Sequence, residues 1–202
     1  MRVSRTQAAE NRETVINVAS RLFREHGFDG IGLKDLMKGA GLTQGAFYKQ
    51  FASKEDLAAQ ASRRAWESAF NRWSAAVAAE PEDPLGAVMA FYLSMGHREE
   101  KMDGCPLVAL GSDAARQGAE VKASFEAGVK AILDVLDHAI AQTNGSEPNA
   151  SDPKSEAMAV LSTMVGALTL SRVVNDPDLA QAFLDAAAKQ IREVVAAPER
   201  GR

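Results

Sequence analysis

An all-α chain is what this sequence predicts, on three observations. Apolar residues recur at spacings of three and four through nine segments. Helix-start residues (Ser4, Thr43, Ser53, Asp83, Asp152, Asp176) stand before most of them. No segment alternates with the two-residue period of a half-buried strand. At 202 residues and 46% hydrophobic, the chain can bury the core of one large or two small domains.

The first helix is expected from about Arg5 to His26. Ser4 with Gln7 is a capping-box pair, Val15, Val18, Ala19, Leu22 and Phe23 form one stripe, and Gly27 stops the helix. His26, beside that stop, reads as a partner for helix-end carbonyls rather than a metal ligand. The glycines between Gly27 and Gly32 do not make a phosphate loop. Only Gly30-x-Gly32 matches, position 35 is Asp, and no strand precedes.

Leu33, Leu36, Met37 and Ala40 mark one face of a short second helix, and Gly41 supplies the positive φ of a tight turn. Thr43 then caps a third helix carrying Phe47, Tyr48 and Phe51. Two short helices crossing through a glycine turn make a helix-turn-helix, whose second helix enters the DNA major groove. Thr43, Gln44, Lys49 and Gln50 are its polar reach. Glutamines can read adenine bidentately, and a lysine can read guanine or bind phosphate. Gly45 admits close backbone approach. Leu42, Phe47 and Phe51 are read as core.

Ser53 with Asp56 caps a long helix to about Ala79, with Trp66, Phe70, Trp73 and Val77 on one stripe that either packs a core or lines a ligand. Asp83-Pro84 opens a fifth helix through Val88, Phe91, Tyr92 and Met95, ending near Gly96. Residues 97 to 104 read as a charged loop. Cys105-Pro106 opens a helix to Arg116, and another runs from about Ala119 to Gln142, carrying Val121, Phe125 and Leu136. Residues 143 to 153 are the most linker-like stretch. Asp152-Pro153 and Asp176-Pro177 open the last two helices, reaching Val174 and Val195. Both are rich in small residues, which permit close helix approach.

The ordered set Leu36, Ala40-Gly41-Leu42-Thr43, Gly45, Phe47-Tyr48, Phe51 and Ser53-Lys54-Glu55-x-Leu57 resembles the TetR family of bacterial transcription regulators. The resemblance is specific over residues 5 to 57; beyond them it rests on helix pattern and length. It implies a three-helix DNA-binding domain over residues 1–54 and a six-helix effector-binding and dimerisation domain over 55–202. Arg5, Lys34, Thr43, Gln44, Gly45, Tyr48, Lys49, Gln50 and Lys54 would be the DNA contacts, and Arg2 could lie near phosphate or in a basic tail. Gly32 stands where the family usually has a capping Thr or Ser, and Gln50 where it often has His. Trp66, Phe70, Met89, Tyr92, Met95, Cys105 and Phe125 would line an effector pocket. Ala159, Ser162, Gly166, Ala167, Leu184, Ala187 and Ile191 would pair with a second copy. The implied partners are a double-stranded operator, a small-molecule effector and a homodimer mate, with the long fourth helix carrying ligand occupancy to the DNA head.

Charge agrees with such a division. Residues 1 to 54 hold nine Lys or Arg against five acids, net +4, whereas the rest holds 14 bases and 22 acids, net −8. Enzyme signatures are lacking: no Gly-x-Ser-x-Gly, His-Glu-x-x-His or Cys-x-x-Cys occurs, and His26, His97 and His138 have no metal-ligand spacing. No cofactor is expected. The single Cys105 forbids an intrachain disulfide and fits a reducing cytoplasm; at a helix start it is either a sensing thiol or a structural one. No stretch reads as a membrane span and no signal peptide is expected. The alternatives are a DNA-binding architectural protein without effector and a helical-bundle enzyme, the latter lacking clustered carboxylates.

Overall fold

The computed structural model describes residues 4–145 and 154–196, and among these every regular element is a helix. Arg2 and the Asp152-Pro153 opening lie outside them. The elements are α1 (Arg5–His26), α2 (Leu33–Gly39), α3 (Gln44–Phe47), α4 (Lys54–Ala79), α5 (Pro84–Tyr92), α6 (Met95–Glu99), α7 (Pro106–Ala114), α8 (Ala119–Thr143), α9 (Ser155–Val173) and α10 (Pro177–Val195).

Most boundaries have a local cause. Ser4 Oγ accepts from the Gln7 N–H at 3.1 Å, while the Gln7 side chain turns to Asn11 instead of closing the box. Gly27 ends α1 at φ +78°, its N–H donating to Phe23 O at 2.8 Å. Asp83 accepts from the Gly86 N–H at 2.9 Å and Asp176 from the Asp178 N–H at 2.9 Å, each ahead of a first-turn proline.

Two expectations are corrected. The supposed charged loop after Gly96 contains α6, because Leu93 ends α5 early and the Ser94 hydroxyl accepts from the His97 N–H at 3.1 Å, starting a new turn. α3 is shorter than expected, with Tyr48, Lys49 and Gln50 in the turn that follows it. α9 is long and apolar enough, by length and composition alone, to cross a membrane. It packs along α10 and buries Val160, Leu161, Met164, Ala167 and Leu168.

The chain forms two compact units. One reaches to Ala69 and also contains Lys101–Gly128; the other holds Phe70–Glu100 and continues from Val129. The first therefore joins α1, α2, α3 and the start of α4 to α7 and the start of α8. Its core around the helix-turn-helix is Val15, Ala19, Phe23, Phe28, Leu36, Met37, Phe47 and Leu57. In the second, Trp73 meets Tyr92 edge-on at 5.4 Å, and two arginines clasp α6 to the end of α9. Arg98 donates to Ser171 O (2.7 Å) and Val174 O (3.0 Å), and Arg172 returns bonds to His97 O (2.8 Å) and Arg98 O (3.0 Å). Each guanidinium thus satisfies carbonyls that a helix end leaves unpaired.

Candidate nucleic-acid interface

The turn between α2 and α3 is built as the sequence implies. Gly41 sits at φ +70°, and the Leu42 N–H donates to Met37 O at 2.9 Å, closing the end of α2. Gly32 opens α2 in extended conformation with no side-chain cap, so Lys34 is the exposed cation of that first turn. Phe47 and Phe51 stack at 5.4 Å and are buried, and Tyr48 stands edge-on to Phe47 at 5.3 Å. These rings hold the short α3, which could not persist alone at four residues.

A hydrogen-bond relay fixes the far end of the recognition element. Arg12, from α1, lies over the Phe51 ring at 5.1 Å and donates to Gln60 Oε1 at 2.5 Å. Gln60 donates to Asp56 Oδ1 at 2.7 Å, and Asp56 Oδ2 accepts from the Ala52 N–H at 3.1 Å. The Asp56 N–H in turn donates to Ser53 Oγ at 3.1 Å, starting α4. Sequence reading identified Ser53 and Asp56 but not Arg12 or Gln60, which meet across 48 positions.

Of the anticipated contacts, Arg5, Lys34, Thr43, Gln44, Gly45, Tyr48 and Lys49 are exposed. Tyr48 keeps 67% of its surface, a large fraction for an aromatic side chain whose neighbour Phe47 has none. Thr43 occupies the N-cap but makes no side-chain cap bond. No atom lies within 4 Å of the place a Cβ would occupy on Gly45, so packing within the chain does not demand glycine there. Gln50 and Lys54 are half-buried, and Gln50 Oε1 is buried without a hydrogen-bond partner, which weakens its fit to a base-reading role. His26 Nε2 lies 3.4 Å from the Glu25 carboxylate rather than on helix-end carbonyls.

The head is joined within its unit to the segment before α7 and to α7 itself. Arg24, buried at the end of α1, donates to Gly104 O at 3.0 Å, and Arg21 pairs with Asp103 at 3.0 Å. Asp113 of α7 accepts from the Phe28 N–H at 3.2 Å.

The residues anticipated as an effector pocket fall in both units. Trp66, Cys105 and Phe125 belong to the first, with Trp66 and Phe125 edge-on at 5.6 Å and Cys105 half-buried at the N-cap of α7. Met89 and Tyr92 are buried and Met95 half-buried in the second. Phe70 is 40% exposed, whereas Trp66 and Trp73 of the same helix are buried. One groove of about 400 Å³ lies against Leu107, Gly111, Ala114, Ala115, Lys122 and Phe125, all in the first unit.

The anticipated pairing residues also divide. Ala159 and Ser162 are exposed and Gly166 half-buried, but Ala167, Leu184, Ala187 and Ile191 are buried within the chain. Those four are consumed by packing inside the protomer, so they are corrected as candidates for contact with a second copy. The apolar surface that α9 and α10 leave exposed is Met158, Leu170, Val173, Leu179 and Val194.

Comparison with known proteins agrees with this architecture. Residues 15–61 match the family described as bacterial regulatory proteins, tetR family, and residues 81–187 match the tetracyclin repressor-like C-terminal domain. The transcriptional repressor NemR of Escherichia coli K12 is 21% identical, with 94% of this chain and 96% of that one covered. The regulator LmrA of Bacillus subtilis 168 is 27% identical over 80% and 86%. In fold, the reduced form of E. coli NemR superposes with TM-score 0.77 at 21% identity over 94% and 100% of the two chains. A regulator from Cytophaga hutchinsonii gives 0.78 at 20% identity over the full length of both. By its two matching domains and its helix-turn-helix, this chain belongs to the tetR family of bacterial regulatory proteins.

Proposed function

We propose that the protein is a cytoplasmic, homodimeric repressor of transcription that binds a pseudo-palindromic operator and is released by a small apolar, aromatic or thiol-reactive effector. It is a binding protein, not an enzyme. The observation that carries the reading is the surface of α3 and its following turn. There Thr43, Gln44, Gly45, Tyr48 and Lys49 are all exposed, while the residues between and behind them, Phe47 and Phe51, are buried. A polar and cationic face on a rigid support, within a head of net charge +4, is suited to phosphate and base-edge contact.

Two copies would be needed to read two half-sites about 34–36 Å apart, or a multiple of that. The exposed Met158, Leu170, Val173, Leu179 and Val194 supply an apolar surface for pairing α9 and α10 with a mate. An effector acts by preferring the conformation in which the two heads no longer match the operator.

Gly45 offers the discriminating test. Space inside the chain is open at its Cβ position, so Gly45→Ala should keep or slightly raise the melting temperature. If α3 lies against DNA, the same methyl group should lower operator affinity by about tenfold, roughly 1.4 kcal/mol. Unchanged affinity with unchanged stability would show that α3 is not the DNA-contacting element.

A further inference from the structure

Arg12 is one of the nine cations of residues 1–54, and charge alone would assign it to phosphate. The structure turns it inward. It is half-buried on α1, its guanidinium lies over the Phe51 ring at 5.1 Å, and its Nη2 donates to Gln60 Oε1 on α4 at 2.5 Å. Lys34 and Lys49, by contrast, are exposed.

Two routes lead from Arg12 to the turn that carries Tyr48, Lys49 and Gln50. The first runs through rings. Phe51, 4% exposed, stacks on Phe47 at 5.4 Å, and Phe47 meets Tyr48 edge-on at 5.3 Å. The second runs through hydrogen bonds. With its Oε1 taken by Arg12, the Gln60 amide is oriented so that Nε2 donates to Asp56 Oδ1 at 2.7 Å. The other Asp56 oxygen accepts from the Ala52 N–H at 3.1 Å. The turn is therefore anchored by Phe47 at its start and by Phe51 and Ala52 at its close, and Arg12 reaches the second anchor by both routes. A helix of four residues is too short to set the direction of the chain that follows it, so that direction comes from the anchors.

We propose that Arg12 is a positioning residue for sequence-specific recognition: without touching DNA, it sets the turn that presents Tyr48 and Lys49. This rests on the regulator reading above. Reading base edges needs side chains held to within about 0.5 Å, whereas attraction to phosphate tolerates looser placement. Loss of Arg12 should therefore weaken specific binding and spare non-specific binding. Loss of a phosphate-contacting cation does the reverse, weakening every sequence alike and lowering the salt dependence. Arginine suits the position because its planar fork can cover a ring and reach an amide oxygen together.

The test compares full-length wild type, Arg12→Ala, Arg12→Lys and Gln60→Ala on two probes: the duplex that wild type enriches from a random-sequence pool, and the same duplex with its sequence shuffled. Titrations are run where circular-dichroism melts show every protein fully folded, so that lost stability does not register as lost affinity. Arg12→Ala should bind the enriched duplex about tenfold more weakly and the shuffled one within about twofold of wild type, with an unchanged salt slope. Gln60→Ala, which removes no charge, should reproduce part of the loss, and the double variant should lose less than the two single effects combined. Arg12→Lys should fall between wild type and Arg12→Ala. Equal weakening on both duplexes, with the slope lowered by roughly 0.9 per contact, would make Arg12 a phosphate contact and overturn the proposal. Unchanged affinity for the enriched duplex overturns it as well.

A second arm needs no DNA. Amide hydrogen exchange across residues 48–53 should be faster in Arg12→Ala than in wild type by about tenfold or more, with α8 unchanged. Equal exchange in the two proteins overturns the hold on the turn. Should wild type enrich no duplex, the regulator reading fails and the presentation of Tyr48 and Lys49 to DNA fails with it, while exchange still decides whether Arg12 holds the turn.

Discussion

His97 shows how a single residue records its surroundings. It is 4% exposed, stacks on Phe91 at 5.4 Å, stands edge-on to Tyr92 at 4.7 Å, and donates from Nδ1 to Tyr92 O at 2.8 Å. Burial pushes its pKa down to about 4, with Arg172 and Arg72 adding to the fall and the Tyr92 carbonyl and Glu100 opposing it. A folded-state value below the unfolded one of about 6.5 means that the unfolded chain binds more protons between those two values. Stability should therefore be full above about pH 6.5 and fall as the pH drops towards 4, by an amount on the order of 3 kcal/mol. Urea melts of wild type and His97→Gln between pH 4 and 7.5 check this. The wild type should lose stability relative to the variant on acidification, and parallel curves would exclude His97 as the cause. Nothing in the sequence marked His97 for this position. Its ring partners, Phe91 and Tyr92, are only six and five positions away, but they meet it only because α5 ends early and the chain turns at Ser94, which no periodicity in the sequence shows.

At the scale of elements, what was legible in the sequence is what depends on neighbours within a few residues. Ser4, Gly27, Gly41, Asp83 and Asp176 each fix a boundary through a bond or backbone angle spanning five residues or fewer. α6 escaped because one turn of helix carries no apolar period and its start rests on Ser94 alone. The exposure of Phe70 escaped for a different reason. Its spacing from Trp66 and Trp73 is helical, but periodicity says which residues share a face and not which part of that face is covered. Contacts between distant elements were likewise out of reach, among them Arg12 with Gln60 and Asp113 with Phe28. Gly128 belongs to this group. A Cβ there would sit 2.0 Å from Trp66 Cδ2, so the ring of α4 lies directly on the backbone of α8. Gly128→Ala should lower stability by roughly 1–3 kcal/mol through overpacking. A shifted thermal melt with altered Trp66 emission would show it, whereas a melt equal to wild type would mean that the indole moves aside freely.

For the molecule as a whole, the charge division and the composition of the last two helices were readable, while the side of those helices that faces outward was not. Small residues occur on both sides of α9 and α10, and only the fold separates the buried Ala167, Leu184, Ala187 and Ile191 from the exposed Ala159 and Ser162. Val173, 71% exposed near the end of α9, is the most uncovered large apolar residue there. A charge there is solvated and costs the protomer less than about 1 kcal/mol against the end of the α9 dipole, so Val173→Glu should leave the fold intact and weaken self-association by about tenfold or more. Sedimentation equilibrium of wild type and variant decides; equal association would place the pairing surface elsewhere.

The central claim, sequence-specific recognition of two half-sites by two copies of α3, is tested most directly by selecting bound duplexes from a random pool and titrating the winner by fluorescence anisotropy across a salt series. The account predicts an enriched two-fold symmetric site with half-sites about one helical turn or a multiple apart, bound by two protomers, with affinity falling steeply as salt rises. Salt-dependent binding without sequence enrichment would contradict it and make this chain a non-specific DNA-binding protein. Enrichment of a single asymmetric half-site would contradict the paired reading.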